Sequence, residues 1–211
     1  MSKNRYSEEE AVQKPAGNLL ATLGWDVHYC FDEEVLGPHG TLGRENYHDV
    51  LLRRDLESAL TELNEWMDEA DVAEAIKTLE HAFVGDSLLQ INEAKYHMLR
   101  DGVPVRKLNA DGTPRTELAQ VFDFEHPKMN RFVAAEELWV HGPLHRRRCD
   151  LVGFVNGVPL VFMEFKRQDK DVERAYRDNY ADYQDAIPQI FHFTIPFVSC
   201  SCVPCGSPAL T

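Results

Sequence analysis

Two apolar runs, Leu151 to Val155 and Val158 to Phe165, are joined by Asn156-Gly157, and this arrangement constrains the chain more tightly than any other stretch. Asn-Gly tolerates the positive φ values that tight hairpin turns require, so the runs are predicted to be antiparallel neighbours in a sheet. Other segments supply partners for that sheet. Trp25 to Phe31, Val103 to Val105, Leu118 to Phe124, Phe132 to Val140 and Phe191 to Val198 read as further strands, with turn signals at Asp111-Gly112 and around His126, Pro127 and Asn130.

Helices are predicted elsewhere. Ser7-Glu8-Glu9-Glu10 has capping-box spacing and places acids on a first turn, giving a helix from about Ser7 to Leu23 that stops at Gly24. Pro15 and Gly17 predict a kink or a second start within it. Apolar residues recur at helical spacing from Asp49 to Leu63, Val72 to Phe83 and Leu88 to Leu99, and Arg174 to Tyr183 also reads as helical. Phe31 to Asn46, punctuated by Gly and Pro, reads as a loop. A chain of 211 residues accommodates one full domain with an appendage. The expected architecture is α/β: a mixed central sheet flanked by helices, with a helical block at about 49–99 inserted before the hairpin. Trp25 and Trp139 are expected in the core.

Charge narrows the function classes. The 22 Lys and Arg against 35 Asp and Glu exclude a free-standing protein that coats nucleic acid or anionic membrane by bulk charge. The imbalance reverses locally: His141 to Tyr180 holds eight Lys and Arg against six Asp and Glu, so a polyanion approaches most easily there. No run of 18 apolar residues and no apolar leader are present, so a soluble cytoplasmic protein is expected. Five cysteines, three of them in the last dozen residues, do not make a disulfide framework. Cys200, Cys202 and Cys205 would need a fourth ligand to hold zinc, His192 being the nearest candidate.

The hairpin also carries a chemical pattern, D-x13-E-x-K, formed by Asp150, Glu164 and Lys166. Glu164 and Lys166 lie two apart on a strand and share a face, while Met163 and Phe165 point into the opposite layer. Two carboxylates meeting at a strand edge make a hard oxygen site suited to Mg²⁺. Such an ion activates water and balances charge on a scissile phosphate, and a lysine orients the water or stabilises the developing charge. Solvated strand ends would have the same spacing. Register discriminates between the two readings. A simple two-residue turn puts Asp150 opposite Met163 and leaves the carboxylates on opposite faces. A shared site therefore requires a three-residue connection or a β-bulge, with Gly153 as a candidate position.

The segment from Pro143 to Lys166, containing Arg148-Cys149-Asp150-Leu151-Val152-Gly153-Phe154 and Met163-Glu164-Phe165-Lys166, resembles the nuclease region of the R (HsdR) subunit of type I restriction enzymes, a PD-(D/E)xK nuclease. The resemblance extends from Glu8 and Gly24-Trp25 to about Val198. It implies a type I site-specific deoxyribonuclease, with Asp150 and Glu164 as metal ligands, the Phe165 backbone carbonyl as a further ligand and Lys166 as the catalytic lysine. Glu8 matches the acid on the first helix that completes related sites, with Glu10 second, although both also serve as helix-capping acids. The family's Gln-x-x-x-Tyr motif, contacting DNA or supporting the site, corresponds to Asn179 and Tyr183, with asparagine replacing glutamine. Arg146, Arg147 and Arg148 are either phosphate contacts or a solvated charge run. Arg148 is the candidate carried forward. His141 and His145 read as surface or DNA-proximal rather than catalytic.

The implied cofactor is Mg²⁺, with ATP used only by motor domains. The implied partners are double-stranded DNA and the specificity and methylation subunits, and no membrane is implied. No G-x-x-x-x-G-K-[ST] phosphate loop occurs in the chain, so no ATPase is expected within it. The expected boundaries are an endonuclease domain at 1–198, with its hairpin at about 148–166, and an irregular tail at 199–211. Two rival readings are a docking or DNA-guiding module that keeps the nuclease fold without catalysis, and a stand-alone nuclease.

Overall fold

A computed structural model describes residues 13–81, 85–109, 111–166, 180–193 and 197–201, with the side chains of Lys166 and of 197–201 outside the description. The expected α/β architecture is present. Five strands, β1 (Asp26–Tyr29), β4 (Phe132–His141), β5 (Arg146–Val155), β6 (Val158–Lys166) and β7 (Phe197–Ser201), form a mixed sheet in the order β1-β4-β5-β6-β7. The outer pairs β1–β4 and β6–β7 are parallel, and β4–β5 and β5–β6 are antiparallel. A second, two-stranded sheet joins β2 (Val103–Leu108) to β3 (Pro114–Ala119), and its turn contains Gly112 at φ 82°.

Helix α1 (Lys14–Thr22) carries Pro15 in its first turn, where a proline lacks no helical partner. The expected portion from Ser7 to Val12 lies outside the described residues. Gly24, at φ 91°, ends the helix, as predicted. Ala16 and Leu20 of α1, with Trp25 and Val27, pack on Ala134, Leu151 and Phe165 on one sheet face. Trp25 is only partly buried, and so is Trp139. The opposite face carries the main core, including Val133, Leu138, Val152, Phe154, Phe162, Tyr183 and Phe191.

The helical insertion consists of α2 (Arg53–Leu63), α3 (Glu69–Glu80) and α4 (Leu88–Asp101). Capping boxes at Asp68/Asp71 and Ser87/Gln90 start the last two. Leu56, Leu60, Ile76 and Leu79 pack with Val103 and Val105, so the small sheet closes this second core. Lys95, fully buried, donates to the carbonyls of Thr78 at 3.0 Å and His81 at 2.8 Å and so caps the end of α3 from α4.

The hairpin turn ties the two cores together. Asn156 and Gly157 occupy φ 47° and 80°, both in the left-handed region that a type I′ turn needs. Leu52 donates its N–H to the Gly157 carbonyl at 2.8 Å, and a Cβ on Gly157 would stand 2.4 Å from the Leu52 carbonyl oxygen. The buried Asn156 amide donates to the carbonyl of Val121 and to Asn130 Oδ1, both at 2.8 Å, and its Oδ1 accepts the Arg131 N–H at 2.7 Å.

Three boundaries differ from expectation. The segment predicted as strand from Phe191 begins instead with a 3-10 turn, Pro188–His192, which buries Ile190 and Phe191, and β7 starts only at Phe197. That strand runs to Ser201, past the expected domain edge at Val198, by pairing in parallel with Glu164 to Lys166 of β6. The predicted Leu118–Phe124 strand is displaced to Pro114–Ala119 because its ladder is set by β2. Of the predicted helix Arg174–Tyr183, residues 180–186 are described and helical. No helix among the described residues is long and apolar enough to cross a membrane.

Candidate functional site

The hairpin register brings the two carboxylates level. From the turn, Val155 faces Val158 and Phe154 faces Pro159. Beyond it Gly153 faces Val161, Val152 faces Phe162 and Leu151 faces Met163. The register shift lies between Gly153 and Phe154. Leu160 is thus the extra residue, and the bulge sits on β6 opposite Gly153 rather than at Gly153 itself. Gly153 still has a role there. A Cβ on it would stand 2.9 Å from the Trp25 ring and 3.2 Å from the Val161 Cβ, so only glycine fits beside the bulge. Continued by one residue, the shifted register places Asp150 level with Glu164, which the unbulged hairpin would forbid.

The strands part beyond Leu151 and Met163, and side chains take over from the ladder. Asp150 Oδ2 accepts the Phe165 N–H at 2.7 Å. Glu164 is 3% exposed, and its Oε2 accepts the Tyr183 hydroxyl at 2.9 Å. The same hydroxyl lies 3.2 Å from the Arg148 carbonyl. Each carboxylate is thereby oriented through one of its oxygens. Burial first, and then the charge of Glu164, raise the Tyr183 hydroxyl well above its ordinary pKa, so it stays a proton donor. The Cys149 thiol below is also pushed well above its usual value, by burial and then by Glu164 and Asp150, which makes it an inert packing group.

Tyr183 is 6% exposed, packs edge-on to Phe162 at 5.0 Å and points its hydroxyl at Glu164. Its place is under the site, not on a DNA-facing surface, because ring burial in the core fixes the hydroxyl inward. Asn179, Glu8 and Glu10 lie outside the described residues, as does the Lys166 side chain. The Lys166 backbone continues β6 two residues past Glu164, and Phe165 between them turns into the α1-side cluster, as the alternation predicted. Among the described residues no group of three His, Cys, Asp or Glu converges as a metal site. The zinc possibility at Cys202 and Cys205 also falls outside the description.

The arginine run resolves into three separate fates. Arg147 forms a double hydrogen bond to Asp182, both at 2.6 Å, which holds that carboxyl below its usual range. Arg148, with 41% of its side chain exposed, meets Glu137 at 2.5 Å. Arg146 lies over the Trp139 ring at 5.1 Å.

Sequence reasoning missed Glu137 and Gln13. Glu137 sits at φ 56°, between the pairs Glu136–Leu151 and Leu138–Cys149, and so stands level with Asp150 on the neighbouring strand. Its left-handed backbone resets the alternation of β4: Val133 and Ala135 before it, and Leu138 and Val140 after it, all enter the same core. Two adjacent acids in an otherwise apolar strand were the only sign of it in the sequence. Gln13 donates to the Asp150 carbonyl at 3.4 Å and joins the start of α1 to the site.

A mixed sheet between helices, with two carboxylates brought level by a bulged hairpin, defines a restriction-endonuclease-like α/β protein. The chain belongs to the family described as the type I restriction enzyme R protein N terminus, whose model matches residues 5–201. It is 33% identical over 187 residues to the "Type I restriction enzyme HindI endonuclease subunit" of Haemophilus influenzae, covering 87% of this chain and 17% of that protein. It is 27% identical over 194 residues to the "Putative type I restriction enzyme MjaIXP endonuclease subunit" of Methanocaldococcus jannaschii, covering 90% of this chain and 18% of that protein. The chain therefore spans less than a fifth of the curated relatives it matches.

Proposed function

We propose that this chain is the endonuclease part of a type I restriction R subunit and hydrolyses DNA phosphodiester bonds with the help of a divalent cation, Mg²⁺ in the cell. The observation that carries the reading is the bulged register that sets Asp150 level with Glu164 at the edge where β5 and β6 part. The donor set fits the ion. Both groups are hard carboxylate oxygens, and each is already oriented, by the Phe165 N–H and by the Tyr183 hydroxyl. Asp150, Glu164 and the Phe165 carbonyl would hold the cation, with Glu8 as a further ligand from the first helix. The ion supplies Lewis acidity and a more acidic bound water.

The chain's own residues do the rest. Tyr183 keeps Glu164 aligned from inside the core, and Lys166, two residues past Glu164 in the sequence, would orient the attacking water or stabilise the developing negative charge. Arg148 and Asn179 contact the DNA backbone beside the scissile phosphate. In a full-length protein of the relatives' size, ATP-driven motor domains move double-stranded DNA. Partner subunits for specificity and methylation select the site, and the assembly works in the cytoplasm. The net charge of −13 agrees with that division, because holding the DNA falls to other parts.

Calorimetric titration of Mn²⁺ or Mg²⁺ into the chain and into Asp150→Ala, with circular dichroism establishing that both are folded, tests the reading. Binding that vanishes in the variant is expected. A folded wild-type chain that binds neither ion would sink it.

A further inference from the structure

Beside the carboxylates the sheet carries aromatic rings that the core does not use. Tyr29 and Phe31, at the end of β1, remain 37% and 41% exposed, and Trp139 of β4 is half-buried. The ring centroids form a row, Tyr29 to Phe31 at 6.5 Å and Phe31 to Trp139 at 6.4 Å. Trp139 Nε1 donates to the Phe31 carbonyl at 3.2 Å and fixes the last spacing. Guanidinium groups lie along the row, Arg148 over Phe31 and Arg146 over Trp139, each 5.1 Å from the ring centre. Arg148 is two residues from Asp150 along β5 and is held by Glu137, which stands level with Asp150 on the neighbouring strand.

Partly exposed rings with guanidinium groups lying over them match the chemistry of an unpaired nucleic-acid strand, in which bases stack on π faces and phosphates meet the charges. A paired duplex fits poorly. Its bases are stacked on each other and advance roughly 3.4 Å per nucleotide along one strand, about half the ring spacing seen here, whereas an extended unpaired strand can set successive bases on successive rings. We propose that Tyr29, Phe31 and Trp139, with Arg146 and Arg148, form a stacking platform for an unpaired stretch of DNA strand leading to Asp150 and Glu164. The platform would favour DNA that is opened or frayed at the cut over intact duplex. The proposal rests on the nuclease reading above, yet its binding step needs no metal.

The test is fluorescence anisotropy in EDTA, with end-labelled single-stranded DNA and a duplex of the same sequence added to the 211-residue chain. Tighter binding of the single strand is expected, together with quenching of tryptophan emission that disappears in Trp139→Phe. Phe31→Ala should weaken single-strand binding about tenfold, and Arg146→Gln should weaken it less while reducing its salt dependence. Arg146 is exposed, so the second variant decides the matter should Phe31→Ala fail to fold. Equal affinity for duplex and single strand, no affinity for the single strand, or folded variants that bind like wild type would each overturn the platform. Calorimetric metal binding in the same preparation separates the two claims: metal bound without single-strand preference removes the platform alone, whereas loss of metal binding removes the nuclease reading.

Discussion

The Tyr183 hydroxyl donates to Glu164 Oε2 at 2.9 Å inside the core, so the helical segment that follows the hairpin reaches back to hold one of its two carboxylates. Tyr183→Phe removes that donor while leaving the ring packing against Phe162. A buried acceptor deprived of a partner costs about 1–3 kcal/mol. The expected outcome is a lower urea midpoint with an unchanged slope, and a midpoint equal to wild type would show that the bond contributes nothing.

Asp150 has two separable roles, which two variants distinguish. Asp150→Asn keeps an oxygen that accepts the Phe165 N–H but removes the charge, whereas Asp150→Ala removes both. Asn should retain most of the wild-type stability, while Ala should lose about 1–2 kcal/mol for the strand-edge bond. Both should weaken Mn²⁺ binding by at least about tenfold, the loss of one charged oxygen ligand. Wild-type metal affinity in Asp150→Asn would remove Asp150 from the ligand set.

Asn156 is held by its own amide as well as by its turn geometry. Asn156→Asp turns a carboxylate oxygen toward the Val121 carbonyl and Asn130 Oδ1 in a site that is 4% exposed. Loss of two buried donor bonds and the burial of a charge should cost at least about 2 kcal/mol. Asn156→Gly, which accepts φ 47° but lacks the amide, should lose stability too, without the steep pH dependence of the Asp variant. Chemical denaturation at pH 5 and 8 reads both effects.

Lys95 gives the protein a rise in stability on the alkaline side. Burial pulls its amine from the ordinary 10.5 down to about 8, against a smaller upward pull from Glu80. Below pH 8 the amine is charged in both states, and the burial penalty is constant. Between about 8 and 10.5 the unfolded chain keeps the proton that the folded chain has released, so stability increases with pH. A neutral amine still has two hydrogens for the Thr78 and His81 carbonyls, so the α3 cap survives. The stability of wild type relative to Lys95→Met should climb across this window, and a constant difference from pH 7.5 to 10 would contradict the assignment.

Much of the fold was legible because local chemistry and tertiary structure agree. Asn156-Gly157 makes a two-residue turn wherever it joins two β-rich runs, and the helical periodicity between Asp49 and Leu99 produces helices because their apolar stripes have a small sheet to cover. The need for a bulge could also be read in advance, since strand alternation alone fixes the faces of Asp150 and Glu164. Its position could not. The extra residue falls at Leu160, opposite a Gly153 that Trp25 and Val161 crowd, and those residues meet only in the folded sheet.

By itself the sequence determined the mixed α/β class and the hairpin, because both follow from short-range periodicity and turn chemistry, and its resemblance to the type I restriction R subunits pointed to the family to which the chain belongs. Tertiary structure alone decided the inward position of Tyr183, the left-handed Glu137 level with Asp150, and the division of three consecutive arginines among Trp139, Asp182 and Glu137. Each of these depends on partners from separate strands or helices being brought within about 3 to 5 Å by burial of a common core, and no local pattern encodes which of several charged or aromatic candidates will arrive.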